Sequence, residues 1–222
     1  VLFAVGALRA APAAADPAGD ALGRRVAAAA GDPRFASELR FTFIVEVDGA
    51  ARARRSYAWR PQAGALQIRW DGGQVAFQDL HRHDLSAAAK DPAAAAATWS
   101  AVAPGVPPAD AAQAWAWWIN DSYWLLAPSK VMDPGVLRSV DAEGRLVLQF
   151  DGVGLTPGDR YTMQVDPVTG LVTGWRFTLQ DGRQGDFTWS DPSQVGLLRV
   201  ATRKATADGR FIVRFEDLQW VP

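Results

Sequence analysis

The chain has 222 residues, 49% hydrophobic and 21% charged, a balance that excludes a disordered polymer and suits one large domain with a substantial core. Its formal net charge of -1 offers no electrostatic footprint for nucleic acid. Cysteine is absent, which removes disulfides, thiolate metal sites and a cysteine nucleophile from consideration.

The first residues, VLFAVGALRAAPAAA, run from an apolar stretch into small residues before Asp16, the pattern of a secretory signal peptide ending near Ala15. Residues 1–15 are therefore expected to be a leader remnant or a disordered segment, and residues 16–222 one domain exported to the periplasm. No later stretch approaches the 18 uncharged apolar residues of a membrane-spanning helix. Residues 20–30 read as a short helix stopped by Gly31 and Asp32-Pro33.

From residue 38 the period changes to two. Leu39, Phe41, Phe43, Val45 and Val47 alternate with more polar neighbours up to an Asp48-Gly49 turn, the signature of a half-buried strand and hairpin. The next strand places Arg55, Tyr57 and Trp59 on one face. Leu66, Ile68 and Trp70, then Val75 and Phe77, complete an antiparallel meander. Residues 85–100 are Ala-rich and interrupted by Asp91-Pro92, which predicts two short helical pieces. After the loop at 103–108, a Trp-rich helix is expected from near Asp110, closed by Pro128.

Alternation then returns through Leu146, Leu148 and Phe150, through Tyr161, Met163 and Val165, and past a tight turn at 166–170. It continues through Trp175 and Phe177, Phe187 and Trp189, Leu197, Arg199 and Ala201, and Phe211, Val213 and Phe215. About ten strands exceed what a flat open sheet carries, so the sheet should curl. The predicted fold is mainly β (α+β): a curled antiparallel sheet forming an incomplete barrel, with helices plugging its concave face.

Catalytic chemistry finds little support. His81 and His83 share a face at i, i+2 with Asp79 and Asp84 nearby, but a zinc site needs three or four ligands, and a solvated loop is the simpler reading. No triad or nucleophile elbow is present, and the Gly-rich segment 151–159 lacks the strand–loop–helix context of a phosphate loop. Neither a catalytic residue nor a metal site nor a cofactor is assigned. Ten Trp residues are more informative, because they crowd the helix as Trp115, Trp117, Trp118 and Trp124, with Tyr123 among them. Core packing and the lining of an apolar cavity are both compatible with such a cluster.

The runs WINDSYWLLAPSKVMDPGV and FDGVGLTPGDRYTMQVDPVTGLVTGWRFTL resemble a family of bacterial exported proteins, which is similar in architecture to the LolA/LolB/RseB type of periplasmic lipoprotein carrier. That resemblance implies a half-barrel holding lipid or lipoprotein acyl chains, as carrier or chaperone. Its residues in this chain are Asn120, Asp121, Tyr123, Trp124, Leu125, Leu126, Pro128, Lys130, Asp133, Pro134 and Gly135. Trp115, Trp118, Tyr123, Trp124 and Leu125 are the expected plug and ligand lining, with Lys130 meeting an anionic head group. The partners expected are an apolar ligand or a lipid-modified protein, with no nucleic acid and at most peripheral membrane contact, and the expected state is a monomer. An RseB-like envelope sensor or interaction module is the alternative, and a hydrolase the third.

Overall fold

The computed structural model describes residues 16–151, 156 and 158–222. The leader read at 1–15 and most of the loop within 151–159 lie outside the described residues. Helix α1 (Pro17–Ala30) opens on Asp16, whose carboxylate accepts from the amides of Ala18 and Gly19, with Pro17 at the first helical position. Strands β1 (Glu38–Val47), β2 (Ala50–Arg60), β3 (Ala65–Trp70) and β4 (Gly73–Phe77) form the expected meander. The β1–β2 turn has Asp48 and Gly49 both at positive φ (53° and 76°), the conformation that matches the twist of a two-residue hairpin.

Helices α2 (Leu85–Ala88), α3 (Ala96–Val102) and α4 (Pro108–Lys130) follow. Strands β5 (Val136–Val140), β6 (Leu146–Phe150), β7 (Arg160–Val165), β8 (Val172–Thr178), β9 (Gln184–Val195), β10 (Leu198–Ala205) and β11 (Phe211–Val221) complete the sheet. Among the described residues the eleven strands run in the order β4-β3-β2-β1-β11-β10-β9-β8-β7-β6-β5, every pair antiparallel. The two meanders meet at the β1–β11 pair, while β4 and β5 are the unjoined edges. The sheet is thus curled but not closed, and the helical segment carries the chain from one edge to the other.

Alternation places the aromatic faces inward. Phe41 pairs with Tyr57, Phe43 with Arg55 and Phe215, and Met163 with Trp175, all on the concave side. Two buried clusters fill it. One joins β1–β4, β10 and β11 to α2, α3 and α4 as far as Leu126; the other joins β5–β9 to α1 and to Ala127 and Val131 at the end of α4. The convex face is not bare either. Ile44 is 1% exposed there, opposite Arg54 and Arg214, whose guanidinium groups pair with Glu216 and Glu46 at 3.0 and 2.7 Å. Long arginine stems can shield an apolar residue while their heads stay in water.

Three features depart from the sequence reading. Strand β5 was not anticipated, because Val136–Val140 is short and its central Arg138 is drawn away to Asp20 of α1 at 2.7 Å. Helix α4 does not stop at Pro128. A proline in the last turn removes only one helical hydrogen bond, and the helix runs on to Lys130 with Leu125, Leu126, Ala127 and Pro128 all buried. Third, the inward set of β10 is Leu198 and Val200, whereas Leu197 is 62% exposed. That one-residue shift reverses the faces of the whole strand.

Candidate functional site

Helix α4 lies over the concave face, and its middle is fastened there by a buried ion pair. Asp121 is fully buried and accepts from Arg55 Nε at 2.6 Å and Nη2 at 3.1 Å, from the Tyr57 hydroxyl at 2.5 Å and from Asn120 Nδ2 at 2.9 Å. The Arg55 guanidinium is packed between the rings of Phe43 and Trp117, 5.3 and 5.1 Å from their centroids. Burial pushes the Asp121 carboxyl above its ordinary range, against the pull of its donors, and burial likewise pushes the Tyr57 phenol upward. A bidentate Arg–carboxylate pair with its remaining lone pairs satisfied is directional, so it fixes the register of α4 on β2. The polar half of the motif around residue 120 is therefore the fastening of the cover.

The expected plug residues divide between two regions. Trp118 packs on Phe41, Tyr57 and Trp59 at centroid distances of 6.1, 5.6 and 5.4 Å, and Trp115 meets Phe77 at 6.2 Å. Tyr123 and Trp124 turn to the other half, contacting Trp175 at 5.9 and 4.8 Å, and Trp124 also meets Phe187 at 4.9 Å. Leu125 lies between and lines a cleft. Lys130 is half-exposed and stands 3.8 Å from Asp133 in the turn that follows α4.

The cleft, about 430 Å³, opens between α1, the end of α4 and strands β8–β10. Val26, Ala30, Leu125, Trp189 and Val200 make its apolar interior, and Thr169, Ser193, Gln194 and Arg199 edge its mouth. Its volume falls in the range of small-molecule sites, and an apolar wall with a few polar groups is the usual lining. A shallower groove of about 700 Å³, lined by residues from Val47 to Phe211, mixes polar and apolar side chains, and within it Arg176 pairs with Asp186 and Arg210 with Asp48, both at 2.6 Å. His81, the metal candidate, packs against Gly64 in the 3₁₀ turn Leu80–Arg82. Among the described residues no three His, Cys, Asp or Glu side chains converge.

Helix α1 forms the outer wall of the cleft. Gly19 sits so close to β5 that a Cβ there would stand 2.6 Å from the Ser139 Cα, which lets the helix lie directly on the strand's backbone. The Asp16 carboxylate also accepts from the Val140 amide at 3.0 Å, covering a donor that β5, as an edge strand, would otherwise present to solvent.

Sequence reasoning missed Lys204. Its side chain is fully buried on the concave face, with Nζ over the rings of Trp189 and Phe215 at 4.7 and 4.4 Å, and it donates to the Ala201 carbonyl. Burial holds its ammonium well below the usual lysine range. The signal was present: read with Leu198 and Val200 inward, the alternation of β10 carries Lys204 inward as well.

No protein-family model and no curated protein matches the sequence. Among solved structures, the chain is similar to a LolA superfamily protein from Nitrosomonas europaea at 9% identity and TM-score 0.49, over 92% of this chain and 94% of that one. It is similar to a DUF1329 family protein from Desulfovibrio piger at 11% identity and TM-score 0.43, over 92% and 93%. A domain described as an outer membrane lipoprotein-sorting protein, from Vibrio parahaemolyticus, aligns at 8% identity and TM-score 0.42, over 91% and 92%. These likenesses are of fold alone.

Proposed function

We propose that the protein is an exported, non-enzymatic binding protein that takes an apolar ligand, a lipid or the acyl chains of a lipid-modified protein, into the cleft beneath α1 and α4. The observation that supports this reading is the cleft itself: about 430 Å³ of largely apolar space on the concave side of an open sheet. Leu125 contacts the ligand directly. Trp115, Trp118, Tyr123 and Trp124 hold the cover and form the wall behind it, and Lys130 serves an anionic group at the surface. Its proposed location is the periplasm, as the signal-peptide pattern in the sequence of residues 1–15 suggests, and a monomer is the working unit.

The test is competition for an environment-sensitive apolar dye. The wild-type protein is expected to enhance the fluorescence of N-phenyl-1-naphthylamine and to lose it to phospholipid or fatty acid. Ala30→Trp, which fills the cleft from α1, is expected to abolish the enhancement at unchanged fold. Dye enhancement that survives Ala30→Trp, or a protein that gains no thermal stability from any lipid, overturns the reading.

A second reading, an interaction module, is favoured by β4, whose outer edge pairs with no strand of the sheet. Capture of a partner protein free of lipid, lost on Ala76→Pro, would distinguish it.

A further inference from the structure

Unpaired donors gather at and behind one wall of the cleft. Trp189 lines the cleft, and its indole Nε1 is buried with no protein acceptor. Trp175, whose ring centroid lies 5.0 Å from that of Trp189, has a buried Nε1 in the same condition. Lys204 stacks on the same Trp189 ring and donates to the carbonyl of Ala201, itself a residue of the cleft wall. An indole nitrogen can only donate. A buried donor without an acceptor costs about 1–3 kcal/mol, and native proteins rarely carry several together without a reason.

Among the described residues no acid is bonded to them. Asp166 lines the cleft, but its carboxylate accepts from the amides of Val168 and Thr169 and from the Thr169 hydroxyl. By strand alternation Asp186, Arg203, Arg214 and Glu216 lie on the opposite face, and Asp191 is exposed. On α4, Asp121 is held by Arg55 and Tyr57. The missing component is an acceptor, and the cleft beside it is apolar.

We infer that the cleft is selective for an apolar monocarboxylate whose head group is received by the Lys204 ammonium and the indole N–H groups of Trp189 and Trp175, with the hydrocarbon chain lying along Leu125 and Val26. This deepens the cleft reading and rests on it. Binding is coupled to protonation: burial disfavours the Lys204 ammonium in the free protein and an arriving carboxylate favours it, so proton uptake accompanies formation of an ion pair inside an aromatic box.

The experiment is isothermal titration with dodecanoate, dodecanol and dodecyl phosphate below their micellar concentrations, in two buffers of different ionisation enthalpy. The wild type is expected to bind dodecanoate about ten- to hundred-fold more tightly than dodecanol, with uptake of about one proton per carboxylate. Lys204→Met should remove both the preference and the proton uptake while leaving dodecanol affinity within about two-fold. Trp189→Phe, which keeps the aromatic face and removes the N–H, should weaken dodecanoate several-fold, and serves also where Lys204→Met does not fold. Equal binding of acid and alcohol without proton uptake overturns the inference and leaves the apolar cleft standing. Tighter binding of the phosphate overturns the carboxylate assignment. Failure of all three ligands to bind overturns the cleft reading and this inference with it.

Discussion

Lys204→Met should stabilise the protein at neutral pH, and by an amount that shrinks as the pH rises. The lysine is fully buried between Trp189 and Phe215, and burial holds it well below the ordinary value of 10.5 near which the unfolded chain titrates. Between the depressed folded value and 10.5 the unfolded state binds one proton more than the folded state, and stability rises with pH. One proton of difference corresponds to about 1.4 kcal/mol per pH unit. In a domain of this size 1 kcal/mol shifts the melting temperature by roughly 2–4 °C, so the wild type should gain about 3–6 °C per unit on the variant. Differential scanning calorimetry of both proteins at pH 7, 8 and 9, at constant ionic strength, measures it. Taking the difference between the two cancels other groups, including Tyr57 and Tyr161, whose phenols burial raises and which act in the opposite sense above pH 10. A difference that stays constant from pH 7 to 9 would mean that the folded protein carries a charged, satisfied ammonium, and the reasoning would fail.

Asp121→Ala leaves the Arg55 guanidinium among aromatic rings without its partner, an expected loss of about 3–5 kcal/mol. Chemical denaturation should show it, together with a recovery of at least half on adding Arg55→Met, the coupling expected of a direct pair. Gly19→Val drives side-chain atoms into the backbone of β5, so limited proteolysis should begin to cut within residues 17–30 at protease levels that spare the wild type. Asp16 is held below its unfolded value of 3.8 by the amides of Gly19 and Val140. A depressed acid contributes stability above its unfolded pKa and loses it as pH falls through the folded one. The melting temperatures of wild type and Asp16→Asn should therefore differ at pH 6 and converge below about pH 3.8.

Much of the fold was legible because alternation is a strong signal where one face is aromatic: Phe41, Tyr57, Trp175 and Phe187 declared their strands. The cover was legible because α4 is the long apolar stretch left over once the strands are counted. What was illegible depends on tertiary partners. Pro128 reads locally as a stop, and only burial of the last turn of α4 overrides it. Val136–Val140 has too few residues for a period, and its pairing with Leu146–Phe150 defines it. The site was less legible still. The motif residues were in view, yet their roles separated once folded: Asp121 fastens, Tyr123 and Trp124 pack, and Leu125 lines the cleft. Arg55 was visible on the Tyr57 face, but its carboxylate lies 66 residues away. Lys204 was hidden by reading Leu197 instead of Leu198 as inward, an error of a single residue.

The pairing of β1 with β11 joins residues as far apart as Glu38 and Val221. Each meander is built from neighbours in sequence and can assemble early, but the seam between them requires closing a loop of most of the chain, the slowest kind of contact to make. Until β11 is available, β1 keeps an unpaired hydrogen-bonding edge and half of the aromatic face lacks its continuation. The β1–β11 seam is therefore the pairing whose closure topology makes most costly, and an unclosed seam is where misassembly between chains would begin.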